Sequence, residues 1–277
     1  MPVLLNEGKD RIIVALDTQK VPEVSRLVQL LAPHVGMFKA GFELTNAVGT
    51  ARALRAIKVN GGKDFADVKF HDIPPTVGKA VQAVAGFGPH FLNMHIQSGD
   101  AAMQGAVAQK GISLLLGVSI LTSLDPQEVL EMFVGPFIAM TGHDYEYGQA
   151  MATDSEDAEL AEHARELRTE YMNRLVLGFA EKAARNGLDG LICSPLELRY
   201  LKEHGTEAVR NLIKVVPGIR MADASADDQQ RVGTPYQTIV DGADYLVVGR
   251  PILTAADPVA AAQAIAAEID RALDDMD

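Results

Sequence analysis

The sequence is short of cysteine and of positive charge. Cys193 is the single cysteine, so the chain can form no internal disulfide, and the apolar residues around it are typical of a buried, unreactive thiol. Against 37 aspartates and glutamates there are only 25 lysines and arginines, which gives a net charge of -12. Because a nucleic-acid surface needs clustered cations, we expect no nucleic-acid partner. An anionic ligand would need cations placed within its own site.

Long apolar runs are also missing. The longest, residues 112–121, is interrupted by Ser113, Gly117 and Ser119, so it is too short and too polar to cross a bilayer. The first ten residues do not contain a basic segment followed by an apolar one, which is the pattern of a secretory signal. We therefore expect a cytoplasmic protein with no membrane partner.

What the sequence does contain is a regular alternation of apolar runs and helical patterns. Strands in parallel sheets are buried on both faces and therefore apolar throughout, so eight such runs, each followed by a helix, predict an α/β fold. A closed (β/α)₈ barrel, the TIM barrel, is the simplest solution. An open, doubly wound sheet is the alternative that periodicity leaves open. The predicted strands are residues 12–16, 35–40, 65–70, 91–96, 112–121, 188–193, 212–216 and 245–248.

The alternation breaks once, between the fifth and sixth predicted strands. The segment at about residues 125–170 is far longer than one loop and one helix require. Nothing in the composition suggests a linker between domains. We therefore expect a single barrel domain over residues 1–277, with an insertion after strand five that ends in a long helix.

Opposite charges cluster where the third predicted strand ends. Asp67 and Lys69 are two residues apart, so on a strand their side chains point to the same face. Asp72 follows just before Ile73 and Pro74, which end the strand. Charged side chains that point into a packed barrel need partners, and such clusters are often functional. A structural ion pair is the simpler interpretation of any one of these charges.

Active sites of (β/α)₈ barrels lie at the carboxyl ends of the strands. Arg220 follows the seventh predicted strand and Arg250 the eighth, each close after a glycine. Arginine binds phosphate oxygens well, and barrels commonly bind phosphate after these two strands. The sequence therefore predicts a phosphate site there. The polar residues expected at this end of the barrel are Asp17, Lys39, Asp67, Lys69, Asp72, Thr122, Arg220 and Arg250.

These residues stand in motifs that resemble the orotidine 5′-phosphate decarboxylase family over nearly the whole chain. The most specific motif is the Asp67-x-Lys69-x-x-Asp72 signature, which continues into Ile73-Pro74. The supporting motifs are Ala15-Leu16-Asp17, Phe38-Lys39-Ala40-Gly41, Leu121-Thr122-Ser123, Pro217-Gly218-Ile219-Arg220, Asp228-Gln229 and Gly249-Arg250-Pro251.

The resemblance implies a homodimer that converts orotidine 5′-phosphate to UMP and CO₂ without a cofactor or metal. The catalytic residues would be Lys39, Asp67 and Lys69 of one subunit and Asp72 of the other, with Lys69 as the cation and proton donor. The family pattern also implies the substrate contacts. Asp17 and Thr76 would bind ribose hydroxyls, Thr122 the pyrimidine, and Arg220, Gln229, Gly249 and Arg250 the phosphate, with Thr76 contributed by the partner subunit.

Two other functions remain open from the sequence. The first is a Mg²⁺-dependent sugar-phosphate decarboxylase or hexulose-phosphate synthase, relatives that share the barrel and the acidic and lysine signature. The His71-Asp72-Ile73-Pro74 sequence after Lys69 argues against these relatives. The second is a barrel that binds a phosphorylated ligand without catalysis. The complete set of four charged residues, Lys39, Asp67, Lys69 and Asp72, argues against this function.

Overall fold

A computed structural model describes residues 7–133, 158–221 and 231–276. Eight parallel strands form a closed barrel in chain order, and the last strand pairs with the first. The predicted (β/α)₈ barrel is confirmed, and the open sheet is wrong. The strands are β1 (Ile12–Ala15), β2 (Met37–Ala40), β3 (Asp64–Phe70), β4 (Phe91–His95), β5 (Leu114–Val118), β6 (Gly190–Ile192), β7 (Ile213–Val216) and β8 (Tyr245–Val248).

Helices follow the strands and cover the outside of the barrel. Several have a proline in the first or second helical position, where its fixed φ and missing N–H suit the first turn of a helix. The helices are α1 (Val21–Leu31), α2 (Phe42–Val48), α3 (Thr50–Val59), α4 (Pro74–Ala85), α5 (Asp100–Gln109), α6 (Pro126–Phe133), α7 (Ala158–Arg185), α8 (Leu198–His204), α9 (Glu207–Arg210), α10 (Pro235–Val240), α11 (Arg250–Leu253) and α12 (Pro258–Asp274). No helix in these described ranges is long and apolar enough to cross a membrane.

The apolar core has two parts, one on each face of the barrel wall. The larger part lies between the strands and the helices, and the smaller part fills the barrel interior. In the interior, the ring of Phe91 packs edge-on against Phe65, at a centroid distance of 5.9 Å, and against Tyr245, at 5.2 Å. Aromatic pairs favour this geometry. These aromatic rings therefore form a plug that fills the barrel interior beneath the charged side chains.

Alternation along β3 carries the chain from this plug to the barrel mouth. Phe65 belongs to the interior cluster, Ala66 packs outward against the helices, and Asp67 lines the open end of the barrel. Since side chains of a strand alternate between faces, an interior position two residues beyond Phe65 points to the mouth. The strand thus places Asp67 directly above the aromatic plug.

Two predicted segments differ from the structure. The fifth strand was expected over residues 112–121, but its ladder covers only Leu114–Val118, and Ile112 is 92% exposed. The single helix expected after the second strand is instead two helices, α2 and α3, which are separated by Gly49 at φ 83°. Glycine tolerates that backbone conformation because it has no Cβ.

The long connection between β5 and β6 contains α6 and α7. α7 is a helix of 28 residues and is the long helix expected at the end of the insertion. The rings of Phe133 in α6 and Phe179 in α7 pack edge-on, with centroids 5.9 Å apart. This contact fixes the two helices against each other. Residues 134–157 of the predicted insertion lie outside the described residues.

Candidate active site

A cavity of about 340 Å³ opens at the carboxyl ends of the strands. Its floor is apolar and includes Phe65, Ile192 and Val247. Its walls are polar, so a ligand with one flat apolar part and several charged groups would fit the lining. Of the residues predicted for the site, the cavity is lined by Asp17, Lys39, Asp67, Lys69, Thr122, Arg220, Gly249 and Arg250.

Asp67 is the centre of the charge cluster. Its Oδ2 atom lies 2.8 Å from the Nζ atom of Lys39, and its Oδ1 atom lies 2.6 Å from the Nζ atom of Lys69. Asp67 is 5% exposed. Burial alone would raise the pKa of Asp67, but the attraction and hydrogen bonds of Lys39 and Lys69 outweigh burial and hold the pKa well below its usual range. The carboxylate is therefore ionised and links two ammonium groups.

The structure adds Asn93, which the sequence analysis missed. Asn93 lies on β4, is fully buried, and donates a hydrogen bond of 2.7 Å from Nδ2 to Oδ1 of Asp67. Its own Oδ1 atom accepts a 2.7 Å hydrogen bond from the backbone N–H of Lys69. The sequence offered one indication of Asn93, which is its amide side chain in the middle of the apolar run Phe91–His95. A buried polar side chain needs hydrogen-bond partners, so its position could have pointed to the charge cluster.

Lys69 has an unusual backbone. Its φ is 45°, and among the described residues it is the one position other than glycine with positive φ. The prediction that Asp67 and Lys69 point to one face is confirmed, but the regular strand assumed for it is wrong, because the register of β3 against β4 shifts between Ala66 and Phe70. The Lys69 ammonium also lies 5.0 Å from the centre of the Phe42 ring, a cation–π contact.

The opposite wall of the cavity carries the arginines. Arg220 follows β7, and its backbone N–H donates to the carbonyl of Gly233, so the chain on either side of residues 222–230 is joined. Gly249 follows β8, and a Cβ atom there would lie only 3.2 Å from Oδ2 of Asp17. A side chain at Gly249 would thus intrude on the cavity, whereas glycine leaves the backbone open to a ligand.

A buried ion pair holds Arg231, two residues after Gln229. Gln229 itself lies outside the described residues. Just beyond it, Nη1 of Arg231 lies 2.5 Å from Oε1 of Glu197, and both side chains are almost completely buried. Nη2 of Arg231 donates a 2.9 Å hydrogen bond to the carbonyl of Leu121. Arg231 therefore joins the chain at residue 231 to the loop that carries Thr122.

Asp72 and Thr76 do not line the cavity of their own chain. Both are exposed, at the junction between β3 and α4 and in the first turn of α4. Oδ1 of Asp72 accepts a 2.7 Å hydrogen bond from the backbone N–H of Ile73, which orients the carboxylate on the surface. The apolar side chain of Ile73 beside it is 64% exposed.

Two histidines stand next to the charge cluster. The rings of His71 and His95 lie 5.2 Å apart at an angle of 33°. Burial lowers the pKa of His95, and the neighbouring His71 and Lys69 lower it further, although the side chain of Gln97 acts in the opposite direction. His95 therefore favours its neutral form beside the ammonium groups.

Metal binding is the other chemistry that a cluster of acidic side chains could support. In residues 7–133, 158–221 and 231–276, no group of three or more histidine, cysteine, aspartate or glutamate side chains is placed to hold a metal ion. The buried carboxylate of the cavity, Asp67, is paired with two lysines instead. The absence of a metal and of a cofactor from the reaction stays a prediction.

A closed barrel with arginines after β7 and β8 and a carboxylate between two lysines at its mouth is typical of (β/α)₈ enzymes that act on small phosphorylated molecules. The chain belongs to the Orotidine 5'-phosphate decarboxylase / HUMPS family, whose family model matches residues 10–265. The resemblance inferred from the motifs is thereby confirmed.

Similar proteins cover almost the whole chain. The orotidine 5'-phosphate decarboxylase of Moorella thermoacetica is 39% identical over 273 residues, which are 95% of this chain and 93% of that protein. The protein of the same name from Desulfosudis oleivorans is 39% identical over 96% of this chain and 95% of its own. The crystal structure of orotidine 5'-phosphate decarboxylase from Lactobacillus acidophilus has a TM-score of 0.66 at 29% identity, and covers 94% of this chain and 98% of that one.

Proposed function

We propose that this chain is a cytoplasmic enzyme that decarboxylates orotidine 5′-phosphate to UMP and CO₂ in pyrimidine synthesis, without cofactor or metal. The observation that carries the proposal is the Lys39–Asp67–Lys69 cluster at the mouth of a barrel with arginines on the opposite wall. Relatives at 39% identity that bear this name support it. We treat the chain as one barrel domain, residues 1–277, in which about 125–170 are an insertion.

The chemistry requires a cation beside the reacting carbon. Loss of CO₂ from C6 of the pyrimidine leaves a carbanion with little resonance stabilisation, so a fixed positive charge at C6 lowers the barrier. The ammonium of Lys69 meets this need and then donates its proton to C6 as general acid. Asp67 forms ion pairs with both Lys69 and Lys39 and so holds the two ammonium groups in place at the barrel mouth.

The remaining cavity residues would bind the rest of the nucleotide. Arg220, Gly249 and Arg250 bind the phosphate, together with Gln229, which completes the set in this proposal. Thr122 binds the pyrimidine, and Asp17 binds a ribose hydroxyl. Because the phosphate is remote from C6, its binding energy can organise the site around the reacting carbon.

The site is completed by a second copy of the chain. We assign Asp72 as a catalytic carboxylate and Thr76 as a ribose ligand of the partner's cavity. Two observations support a homodimer that covers this face. Asp72 and Thr76 are exposed where β3 meets α4, and the apolar side chains of Phe42, just after β2, and Ile73, just after β3, are exposed as well.

One assay tests the proposal. Purified enzyme is mixed with orotidine 5′-phosphate, and the loss of its absorbance is followed with and without EDTA, with the Lys69→Ala variant as background. We expect turnover that EDTA does not change. Turnover abolished by EDTA and restored by Mg²⁺ would favour the metal-dependent relatives. Binding of UMP with no turnover of orotidine 5′-phosphate would favour a non-catalytic binding barrel.

A further inference from the structure

Asn93 is a neutral polar side chain in the apolar wall of the barrel. Its relative exposure is 0%, and each end of its amide makes one hydrogen bond of 2.7 Å. One bond goes to the carboxylate of Asp67 and the other comes from the backbone of Lys69. Asn93 therefore contacts the acid and the lysine of the charge cluster at once, although it does not line the cavity.

The backbone N–H of Lys69 needs a hydrogen-bond acceptor outside the regular strand ladder. Ala66 pairs with Leu92 and Phe70 pairs with Met94, so residues 67–69 of β3 stand opposite Asn93 alone. The regular ladder is interrupted there, and a backbone N–H buried without a partner would be unfavourable. The side-chain oxygen of Asn93 accepts the Lys69 N–H in place of a strand carbonyl.

We propose that Asn93 is a positioning residue, which holds Lys69 at its positive φ and orients Asp67 so that the Lys69 ammonium points at the reacting carbon. This inference rests on the proposed decarboxylation. A non-glycine residue at φ 45° is uncommon and persists only when its surroundings enforce it. A carboxylate beside Asp67 would add like charge, and an apolar side chain would make neither bond, so asparagine suits both demands.

The first test replaces Asn93 by a side chain of similar size. In Asn93→Leu both hydrogen bonds are lost, and we expect kcat for orotidine 5′-phosphate to fall by about 100-fold while KM and the affinity for UMP change little. The control is Asn186→Leu, because Asn186 is also buried and also makes two side-chain hydrogen bonds, with Gln104 and Lys182, away from the cavity. The control is expected to keep the kcat of the wild type.

The second test separates positioning from folding. In Asn93→Asp the new carboxyl group lies beside the carboxylate of Asp67. The negative charge of Asp67 raises the pKa of the new group. Only the protonated carboxyl can both donate to Asp67 and accept from Lys69. The ratio of variant to wild-type kcat should therefore rise as the pH is lowered. A purely structural role would give a ratio that does not depend on pH.

The outcomes distinguish the two proposals. If the wild type does not turn over orotidine 5′-phosphate, the proposed function is wrong. If the wild type is active and Asn93→Leu retains its kcat, or loses kcat only as much as Asn186→Leu, the role of Asn93 is refuted. Should Asn93→Leu fail to fold, the pH ratio of Asn93→Asp decides, and a flat ratio overturns the inference.

Discussion

At the scale of single residues, the charge balance of the barrel mouth depends on Asp67. Its two carboxylate oxygens are divided between Lys39 and Lys69, so the three side chains together carry one net positive charge. The cations hold the pKa of Asp67 well below its usual range despite burial, so its carboxylate remains ionised in moderately acidic solution. A substrate that brings its own carboxylate would meet a cluster of opposite net charge.

Removal of Lys69 tests its role as cation and proton donor. In Lys69→Ala, Asp67 keeps its pair with Lys39, so the buried carboxylate is still compensated and the fold should survive. We expect decarboxylation to fall by about 10⁴-fold, since electrostatic stabilisation and proton donation are lost together. Lys110→Ala removes a lysine paired with Asp189 elsewhere in the molecule and serves as control. Near-normal turnover by Lys69→Ala would contradict the mechanism.

Protonation of His95 should affect stability. Burial, with His71 and Lys69 as neighbours, lowers the pKa of His95 from its ordinary value of 6.5 in the folded chain. The unfolded chain then binds the proton more readily, so the stabilisation is complete above about pH 6.5 and decreases as the pH falls below it. Urea titrations of the wild type and of His95→Gln over this range measure the effect. The variant should lose less stability on acidification.

The same substitution at an exposed histidine is the control for that experiment. His204→Gln lies near the end of α8, away from the barrel mouth, and should leave the pH dependence of the wild type unchanged. Equal slopes for the wild type and His95→Gln would show that His95 is not the responsible group.

At the scale of elements, the sequence predicts what depends on local pattern. The strand β8 occupies the predicted residues 245–248, and helices follow the strands as expected, because apolar runs and helical spacing are local properties. The positive φ of Lys69 and the role of Asn93 were not predicted, because both arise from the shifted register between β3 and β4. A contact between two strands leaves no periodic signal in either one. Gln229 stays a prediction outside the described residues.

The break between α2 and α3 gives a prediction with an internal control. Gly49 has φ 83° and ψ 142°, a region that is essentially limited to glycine, although a Cβ atom there would meet nothing within 4 Å. Gly49→Ala should therefore lower the free energy of unfolding by about 1–3 kcal/mol through backbone strain alone. Denaturant titration measures the change.

Gly178 provides the opposite case for the same substitution. It is exposed in the interior of α7, and a Cβ atom there also meets nothing within 4 Å. Gly178→Ala should raise the free energy of unfolding by about 0.5–1 kcal/mol, because alanine loses less conformational entropy in a helix. The backbone argument fails if the two variants change stability in the same direction.

At the scale of the whole molecule, the charge of the site is opposite to that of the protein. The chain carries a net charge of -12. The cavity is lined by four cations, Lys39, Lys69, Arg220 and Arg250, and by the two carboxylates of Asp17 and Asp67. A positive cleft in a negative surface draws small anions towards the cleft. This arrangement satisfies the expectation from composition that cations for an anionic ligand are placed locally.

The shared site can be tested with two inactive chains. Lys69→Ala removes the cation of a chain's own cavity, and Asp72→Ala removes the carboxylate proposed to enter the partner's cavity. Mixed dimers of the two variants contain one cavity with both residues intact, so random exchange of equal amounts should recover about a quarter of the wild-type activity. Each variant alone is the control. No recovery after confirmed subunit exchange would contradict a site built from two chains.

The pairing of β8 with β1 also determines the moment at which a newly made chain can capture a ligand. Lys39, Asp67 and Lys69 leave the ribosome early, whereas Gly249 and Arg250 emerge with the last strand. Gly249 meets Asp17 only when β8 has docked beside β1. Such distant pairing is a slow step of folding. An unfinished chain therefore carries the lysines and Asp67 without the residues proposed to bind the phosphate, and the complete cavity forms only when the barrel closes.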